Sequence, residues 1–292
     1  MERLDKEADK WLTQLQPPEA KLEDDLARGK EDPVFFAERF LAFRPYQYQI
    51  AVLTDKSKRI TVRMSRQAGK TTTIAVRAIW YAATHPQTLS LIVAPSLRQS
   101  MIMMDRIQAF IFGMDPQARK HLVAKIQRTV IWFRNGSQMV ALPCSPNLLR
   151  GYTAHQVLID EAAFFRDDEV IFYNVLYPMM ATTNGTLIAS STPWGKDSVF
   201  YKINSHPEIS KGWSKHYVPW QACVKPHGPI EPSFIDEVRQ VTPIERFKRE
   251  YDAEFVEDED SYFPQDLITK CIDPDLALVL ESEILATPLR RS

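Results

Sequence analysis

Glycine is scarce in this chain. There are nine in 292 residues, where ordinary usage would supply about twenty, so each one is apt to mark a backbone geometry that a side chain would forbid. Gly69, Gly136, Gly151, Gly185 and Gly195 all fall at turns or loops between apolar runs. Cysteine is rarer still. Cys144, Cys223 and Cys271 lie far apart and the six histidines do not gather around them, so neither a disulfide framework nor a zinc site is indicated and the compartment reads as reducing. No run reaches the roughly 18 apolar residues of a membrane span, and the charged N-terminus does not resemble a signal peptide. The chain therefore reads as cytoplasmic, with no membrane partner. Nor is there an excess of either charge: 36 Lys and Arg stand against 37 Asp and Glu, for a net charge of -1 and a pI near 6.6. No global basic field announces a nucleic acid, so any such contact must be local. Twenty prolines beside so few glycines also suit a heat-tolerant chain.

What is present describes a globular α/β protein. Hydrophobic residues make up 45% and charged residues 25% of the chain, enough for one large domain with a substantial core, alone or with a small appendage. Residues 1–32 carry ten acidic and six basic side chains and read as a solvated arm that adds little to the core. Residues 33–43 place aromatics at helical spacing and should dock on the domain. An apolar β-branched run, Ile60-Thr61-Val62, precedes a helical pattern from Ile74 to Trp80. A second strand at 88–95 then leads to a helix at 96–112 with Met101, Met104, Ile107 and Ile111 on one face. This is the βαβ rhythm of a parallel sheet. Residues 128–142 break it with a hairpin turned at Asn135-Gly136. Strands at 155–160 and 186–191 follow, with helical stretches between 162 and 181. Beyond Gly195 come a short helix, an aromatic strand from Trp213 to Trp220, and two helices split by Pro243 that place Phe234, Val238, Phe247, Tyr251 and Phe255 on apolar faces.

Between the first strand and its helix lies Ser65-Arg66-Gln67-Ala68-Gly69-Lys70-Thr71-Thr72. Strand, Gly-Lys-Thr loop and helix together form a phosphate loop. Backbone N–H groups at the helix N-terminus wrap a polyphosphate, Lys70 neutralises the β- and γ-phosphates, and the Thr71 hydroxyl reaches Mg²⁺. The expected nucleotide is ATP. The common pattern would put glycine at Met64; here that glycine is missing and Arg66 and Gln67 sit inside the loop, where a cation can sense the γ-phosphate. A chance Gly-Lys-Thr in a loop is the bland alternative.

Val157-Leu158-Ile159-Asp160-Glu161 is an apolar strand ending in two carboxylates. Beside a phosphate loop, Asp160 can hold Mg²⁺ and Glu161 can polarise an attacking water; alone, such a pair is more often a helix-terminal charge pair. Ala189-Ser190-Ser191-Thr192-Pro193 ends the next strand with three hydroxyls, either a solvated turn or a group that reports hydrolysis to whatever moves. Upstream, Tyr46 can stack on an adenine ring and Gln47 can pair with its edge, unless both merely start a helix.

Taken in order, Tyr46-Gln47, the glycine-poor loop 65–72, Arg150-Gly151-Tyr152, Ile159-Asp160-Glu161-Ala162 and Ser190-Ser191-Thr192-Pro193-Trp194-Gly195 resemble the motif set of the large terminase subunit over residues 33–265. That family supplies the ATPase motor that drives genomic DNA into the capsids of tailed bacteriophages. The resemblance implies a P-loop NTPase fold of the ASCE type, a central mostly parallel sheet flanked by helices with a small C-terminal linker subdomain. It divides the chain into an arm (1–32), a core (33–205), a small lid (206–265) and a linker remnant (266–292).

The implied roles are carried over residue by residue. Ser65 to Thr72 with Tyr46 and Gln47 would hold ATP, Thr71 and Asp160 would hold Mg²⁺, and Glu161 would activate water. Arg66 would contact the γ-phosphate, Arg150 would reach a neighbouring subunit's nucleotide as a trans finger, and Ser190, Ser191 and Thr192 would couple hydrolysis to motion. For Arg150 a surface or loop-pinning role stands beside the finger. Implied partners are double-stranded DNA, the capsid portal protein, the small terminase subunit and further copies in a ring, in the cytoplasm of an infected host cell. Large terminases also carry a nuclease domain of about 150 residues or more. Only 32 residues follow Asp260, so the expectation is a motor without nuclease activity, and Glu257-Asp258-Glu259-Asp260 reads as a solvated linker. The first domain of a helicase-like or repair translocase is the second reading, and an ATP-gated scaffold that binds without hydrolysing is the third.

Overall fold

A computed structural model describes residues 18–256. Cys271, the acidic run Glu257 to Asp260 and the expected linker 266–292 lie outside the described residues. So does most of the arm, but its last part is a helix, α1 (Pro18–Glu31). Contrary to a purely solvated arm, Leu22 and Leu26 pack against the core and the Trp80 indole donates to the Gly29 carbonyl at 2.8 Å. The aromatic stretch forms α2 (Pro33–Leu41), which the Asp32 carboxylate caps by accepting from the N–H groups of Val34 and Phe35. Its Phe36 and Phe40 are buried. Helix α3 (Gln47–Thr54) leads to β1 (Arg59–Met64), the loop, and α4 (Lys70–Thr84).

The chain continues through β2 (Leu89–Ala94), α5 (Leu97–Gly113), α6 (Pro116–Leu122), β3 (Val123–Ile126), β4 (Val130–Phe133), β5 (Gln138–Pro143), α7 (Pro146–Leu149), β6 (Gln156–Asp160) and β7 (Thr186–Ser191). Then come α8 (Val199–Ser205), β8 (Ser214–Val218) and α9 (Pro232–Val241), followed by helical turns at Ile244–Phe247 and Lys248–Asp252. Gln138 begins β5 one residue after the Asn135-Gly136 turn, and Gly136 takes a φ of 84°.

The eight strands among the described residues form one sheet in the order β3-β4-β5-β2-β6-β7-β1-β8. From β5 to β8 every neighbouring pair is parallel; β4 is antiparallel to both of its neighbours, β3 and β5. Strand β8 lies beyond residue 205 yet hydrogen-bonds to β1, so the sheet runs past the boundary expected between core and lid. Helices cover both faces, which is why the central strands read as continuous apolar runs. Leu158 and Ile188 face one layer with Ile74, Ile107 and Phe36; Val157, Ile159, Leu187 and Ala189 face the other with Phe172, Val175 and Phe200. Gly185 permits the approach to β6, because a Cβ there would lie 2.8 Å from the Ala154 carbonyl oxygen. Of the apolar faces expected near the C-terminus, Phe247 and Tyr251 are buried, whereas Phe234 is 39% exposed and meets the edge of the Tyr251 ring. Among the described residues no helix is long and apolar enough to cross a membrane.

The sheet's β8 edge is tied to α3 by a side-chain hydrogen bond. Asp55, just past α3, meets the His216 imidazole of β8 at 2.7 Å and accepts from the Ser57 N–H at 2.8 Å. Burial alone would raise its pKa, but hydrogen bonds from Ser214, Ser57 and His216 outweigh that and bring it down to about 2. A depressed carboxylate stabilises the fold above the unfolded pKa near 4 and loses that contribution as pH falls through 4 towards 2. Asp55→Asn should therefore cost about 2 kcal/mol at pH 7. The difference between variant and parent in urea denaturation should shrink towards zero near pH 2; a pH-independent difference would remove the electrostatic explanation.

Candidate active site

The loop after β1 is shaped for an anion before any ligand is considered. Gln67 takes φ 64° and Gly69 φ 79°, so two left-handed residues on either side of Ala68 curl the backbone into a concave turn at the first residues of the long helix α4. The φ of Gly69 is one that L side chains rarely adopt, and a Cβ there would also meet Gln49 Nε2 at 2.8 Å, so a substitution would be strained. Helix α3 buttresses the loop from the side: the Tyr48 hydroxyl donates to the Ala68 carbonyl at 2.8 Å, and buried Gln49 accepts from the Tyr46 N–H at 2.9 Å. Ser65 is buried, its N–H donating to the Val218 carbonyl of β8.

Across from the loop, β6 delivers its two carboxylates. Lys70 and Asp160 are both only 8% exposed, and Lys70 Nζ donates to Glu161 Oε1 at 2.8 Å with Asp160 Oδ1 at 3.9 Å. The Thr71 hydroxyl donates to Asp160 Oδ2 at 3.1 Å. These contacts join distant parts of the chain, and the strand order creates them: β7 is inserted between β1 and β6, and its register sets Ser190 opposite Asp160. The Ser190 hydroxyl lies 3.1 Å from Asp160 Oδ1 and 2.9 Å from the Ile159 carbonyl, while the Ser191 hydroxyl donates to Glu161 Oε2 at 3.2 Å and accepts from the Ala163 N–H. Glu161 itself adopts φ 56°, ψ 46°. That left-handed conformation is uncommon for a residue with a Cβ, and it turns the chain out of the strand directly at the second carboxylate.

Electrostatically the cluster is one ammonium between two carboxylates. Burial pushes the Asp160 carboxyl above its ordinary range, the neighbouring Lys70 charge pulls it down, and the Glu161 charge pushes it up again. The net negative, all-oxygen corner formed by Asp160 and Thr71 suits a hard divalent cation. Among the described residues no group of three or more His, Cys, Asp or Glu could hold a metal unaided. A cation here would need oxygens from a phosphate as well, which is how Mg²⁺ is commonly held.

The sequence-derived candidates fall into three groups. Ser65, Gln67, Ala68, Gly69, Lys70, Thr71, Asp160, Glu161, Ser190 and Ser191 lie together in the loop and at the facing ends of β6 and β7. Thr72 faces sideways, where its hydroxyl accepts from the Arg106 guanidinium of α5. Thr192 makes no side-chain hydrogen bond among the described residues, Gln47 is exposed, and Tyr46 stacks near-parallel on Tyr48 with ring centroids 6.0 Å apart. Arg66 points out of the loop: its guanidinium pairs with Glu250 at 3.1 Å and its N–H donates to the Glu250 carbonyl at 2.7 Å. Arg150 is exposed just after α7, its side chain without hydrogen bond or ion pair among the described residues. Sequence reasoning missed Tyr48, Gln49, Arg106 and Glu250. Only Gln49 left a local signal, three residues after the residue that precedes α3, where a glutamine commonly closes a helix start.

Comparison with known proteins gives the chain's family. The family model "Terminase large subunit, T4likevirus-type, N-terminal" matches residues 62–270. The large terminase subunits of Thermus phage G20c and Thermus virus P23-45 are each 24% identical over 258 residues, which cover 76% of this chain and 51% of theirs, so the chain spans about half the length of the curated relatives it matches. Among solved structures, the large terminase ATPase domain of Thermus phage P74-26 superposes with a TM-score of 0.62 at 21% identity over 76% of this chain and 97% of that one. The HK97 bacteriophage large terminase gives 0.63 at 17% identity over 77% and 55%. A large terminase from another thermophilic bacteriophage, in complex with ADP, gives 0.58 at 15% identity over 73% and 54%. With the family model matching more than half of its residues, this chain belongs to the large terminase subunits, in their N-terminal portion.

Proposed function

We propose that this domain is the ATP-hydrolysing motor of a phage genome-packaging machine, driving double-stranded DNA through the capsid portal. The observation that carries the reading is the Lys70–Glu161 contact at 2.8 Å, with Thr71 on Asp160 beside it. Lys70, the first residue of α4, would leave Glu161 for the β- and γ-phosphates, and the loop N–H groups with the helix dipole would hold the remaining negative charge. Thr71 and Asp160 would hold Mg²⁺, which when bound neutralises phosphate charge. Glu161, released from Lys70 and kept in place by Ser191, would accept the proton of the attacking water. Arg66 would exchange Glu250 for the γ-phosphate. Tyr46 and Gln47, at the start of the helix whose Tyr48 and Gln49 buttress the loop, would take the adenine.

Ser190 and Ser191 sit in β7 with hydroxyls on the two carboxylates, so a change at either carboxylate would be felt in the strand that leads to Thr192 and Trp194. The Arg249 guanidinium lies over the Trp194 ring at 4.7 Å, which links that turn to the segment carrying Glu250. The exposed, unengaged Arg150 is consistent with reaching a neighbour's nucleotide in a ring. In this reading the small terminase subunit and the portal are partners of the assembled motor.

Calorimetric titration should show no ATP binding to Lys70→Ala, whereas Glu161→Gln should bind ATP with Mg²⁺ and lose turnover by about 10²–10⁴-fold. Wild-type hydrolysis by either variant would refute the site assignment. Arg150→Ala should keep its ATP affinity and lose about 10³-fold or more of turnover in the assembled ring. An equal loss in the isolated monomer would assign it a role within its own chain instead.

A further inference from the structure

Acidic residues are missing from one long stretch of this chain. Between Asp115 and Asp160 there is no aspartate or glutamate, although the chain holds 37, and the same stretch carries Arg119, Lys120, Lys125, Arg128, Arg134 and Arg150. The fold collects the first five at one place, the antiparallel end of the sheet: α6, β3, β4 and the turns between them. Lys120, Lys125, Arg128 and Arg134 are exposed, and none of the five is ion-paired among the described residues.

Their backbone is held in place. Arg134 Nε donates to the Lys120 carbonyl at 2.6 Å, Arg119 donates to the Phe112 carbonyl at 3.0 Å, and Gln108 of α5 pins the β3–β4 turn by donating to the Gln127 carbonyl at 3.1 Å. Lys125 stands opposite Trp132 across the strand pair, its ammonium 5.2 Å from the ring centroid.

One lysine on a short strand is enough to discourage edge-to-edge association. An edge whose α6, β3 and β4 carry cations and no acid beyond the Asp115 cap of α6 is a different matter, because crowding like charges costs stability through self-repulsion unless a polyanion relieves it. We propose that residues 116–134 form a docking edge for double-stranded DNA, with Lys120, Lys125 and Arg128 on backbone phosphates and no base read. The choice of duplex over other polyanions rests on the motor reading. The competing occupant is a second copy of this chain, since the turn after β6 carries Asp167, Asp168 and Glu169, which could face a basic edge.

The test is fluorescence anisotropy of a short blunt duplex of mixed sequence with the full chain, between about 50 and 200 mM salt. Reversing three charges together (K120E, K125E, R128E) should weaken binding by about tenfold or more and make the log–log salt slope shallower by about two to three. The lysine and arginine swaps K120R, K125R and R128K, combined, should keep both. ATP turnover without DNA should be unchanged in each, because none of the three touches the nucleotide site. Should the triple reversal fold poorly, K125Q and R128Q singly should each reduce the slope by about one. Unchanged affinity and slope in the reversed variant would overturn the proposal, as would failure of the parent to bind duplex. Loss of self-association in sedimentation with duplex binding intact would assign the edge to another copy and also overturn it. Turnover and duplex binding are read separately, so a chain that hydrolyses ATP but binds DNA elsewhere keeps the motor and loses this edge. One that binds through the edge without hydrolysing does the reverse.

Discussion

A buried ammonium between two carboxylates organises this molecule. Burial raises the Asp160 carboxyl above its ordinary range and the Lys70 charge beside it pulls it back, while the same ammonium donates to Glu161 at 2.8 Å. To bring them within 4 Å, the chain needs β1 and β6 parallel, their C-terminal ends level, and one further strand between them. The covering helices, the close approach at Gly185 and the left-handed turn at Glu161 all serve that alignment. In the proposed reading a phosphate would replace Glu161 on Lys70, and a divalent cation would replace Lys70 on Asp160.

Around this centre the hydroxyls and cations occupy two tiers. Ser190, Ser191 and Thr71 touch the carboxylates directly and are fixed by the strand register and by the first turn of α4. Arg66, Arg106 and Arg249 form an outer tier, each engaged with a different element: the segment that carries Glu250, the side of α4 at Thr72, and the turn that carries Trp194. In the proposed reading these three contacts would carry a change in the occupant of the inner tier to α5, the turn after β7 and the C-terminal helical turns.

Much of this was legible in the sequence because it is written locally. A strand, a Gly-Lys-Thr loop and a helix lie in one unbroken run, and β6 announces itself by apolar residues followed by two acids. The pairing of β6 with β7 was not legible, since nothing local says that residue 190 will stand beside residue 160. The short elements α6 and β3 went unseen because a few residues carry too little periodicity to register. Tyr46 and Gln47 drew attention as a pair, whereas helix geometry sends the neighbouring Tyr48 and Gln49 to the loop. The Glu250 partner of Arg66 lies 184 residues away, and no pattern in either segment points to the other.

The most direct test of the central exchange is a crystal structure of this chain with a slowly hydrolysed ATP analogue and Mg²⁺. The account requires the triphosphate in the loop between β1 and α4, Lys70 Nζ on its β- and γ-phosphate oxygens, and Glu161 free of Lys70 and facing the terminal phosphorus across a water. An analogue bound elsewhere, with the Lys70–Glu161 pair intact, would contradict it.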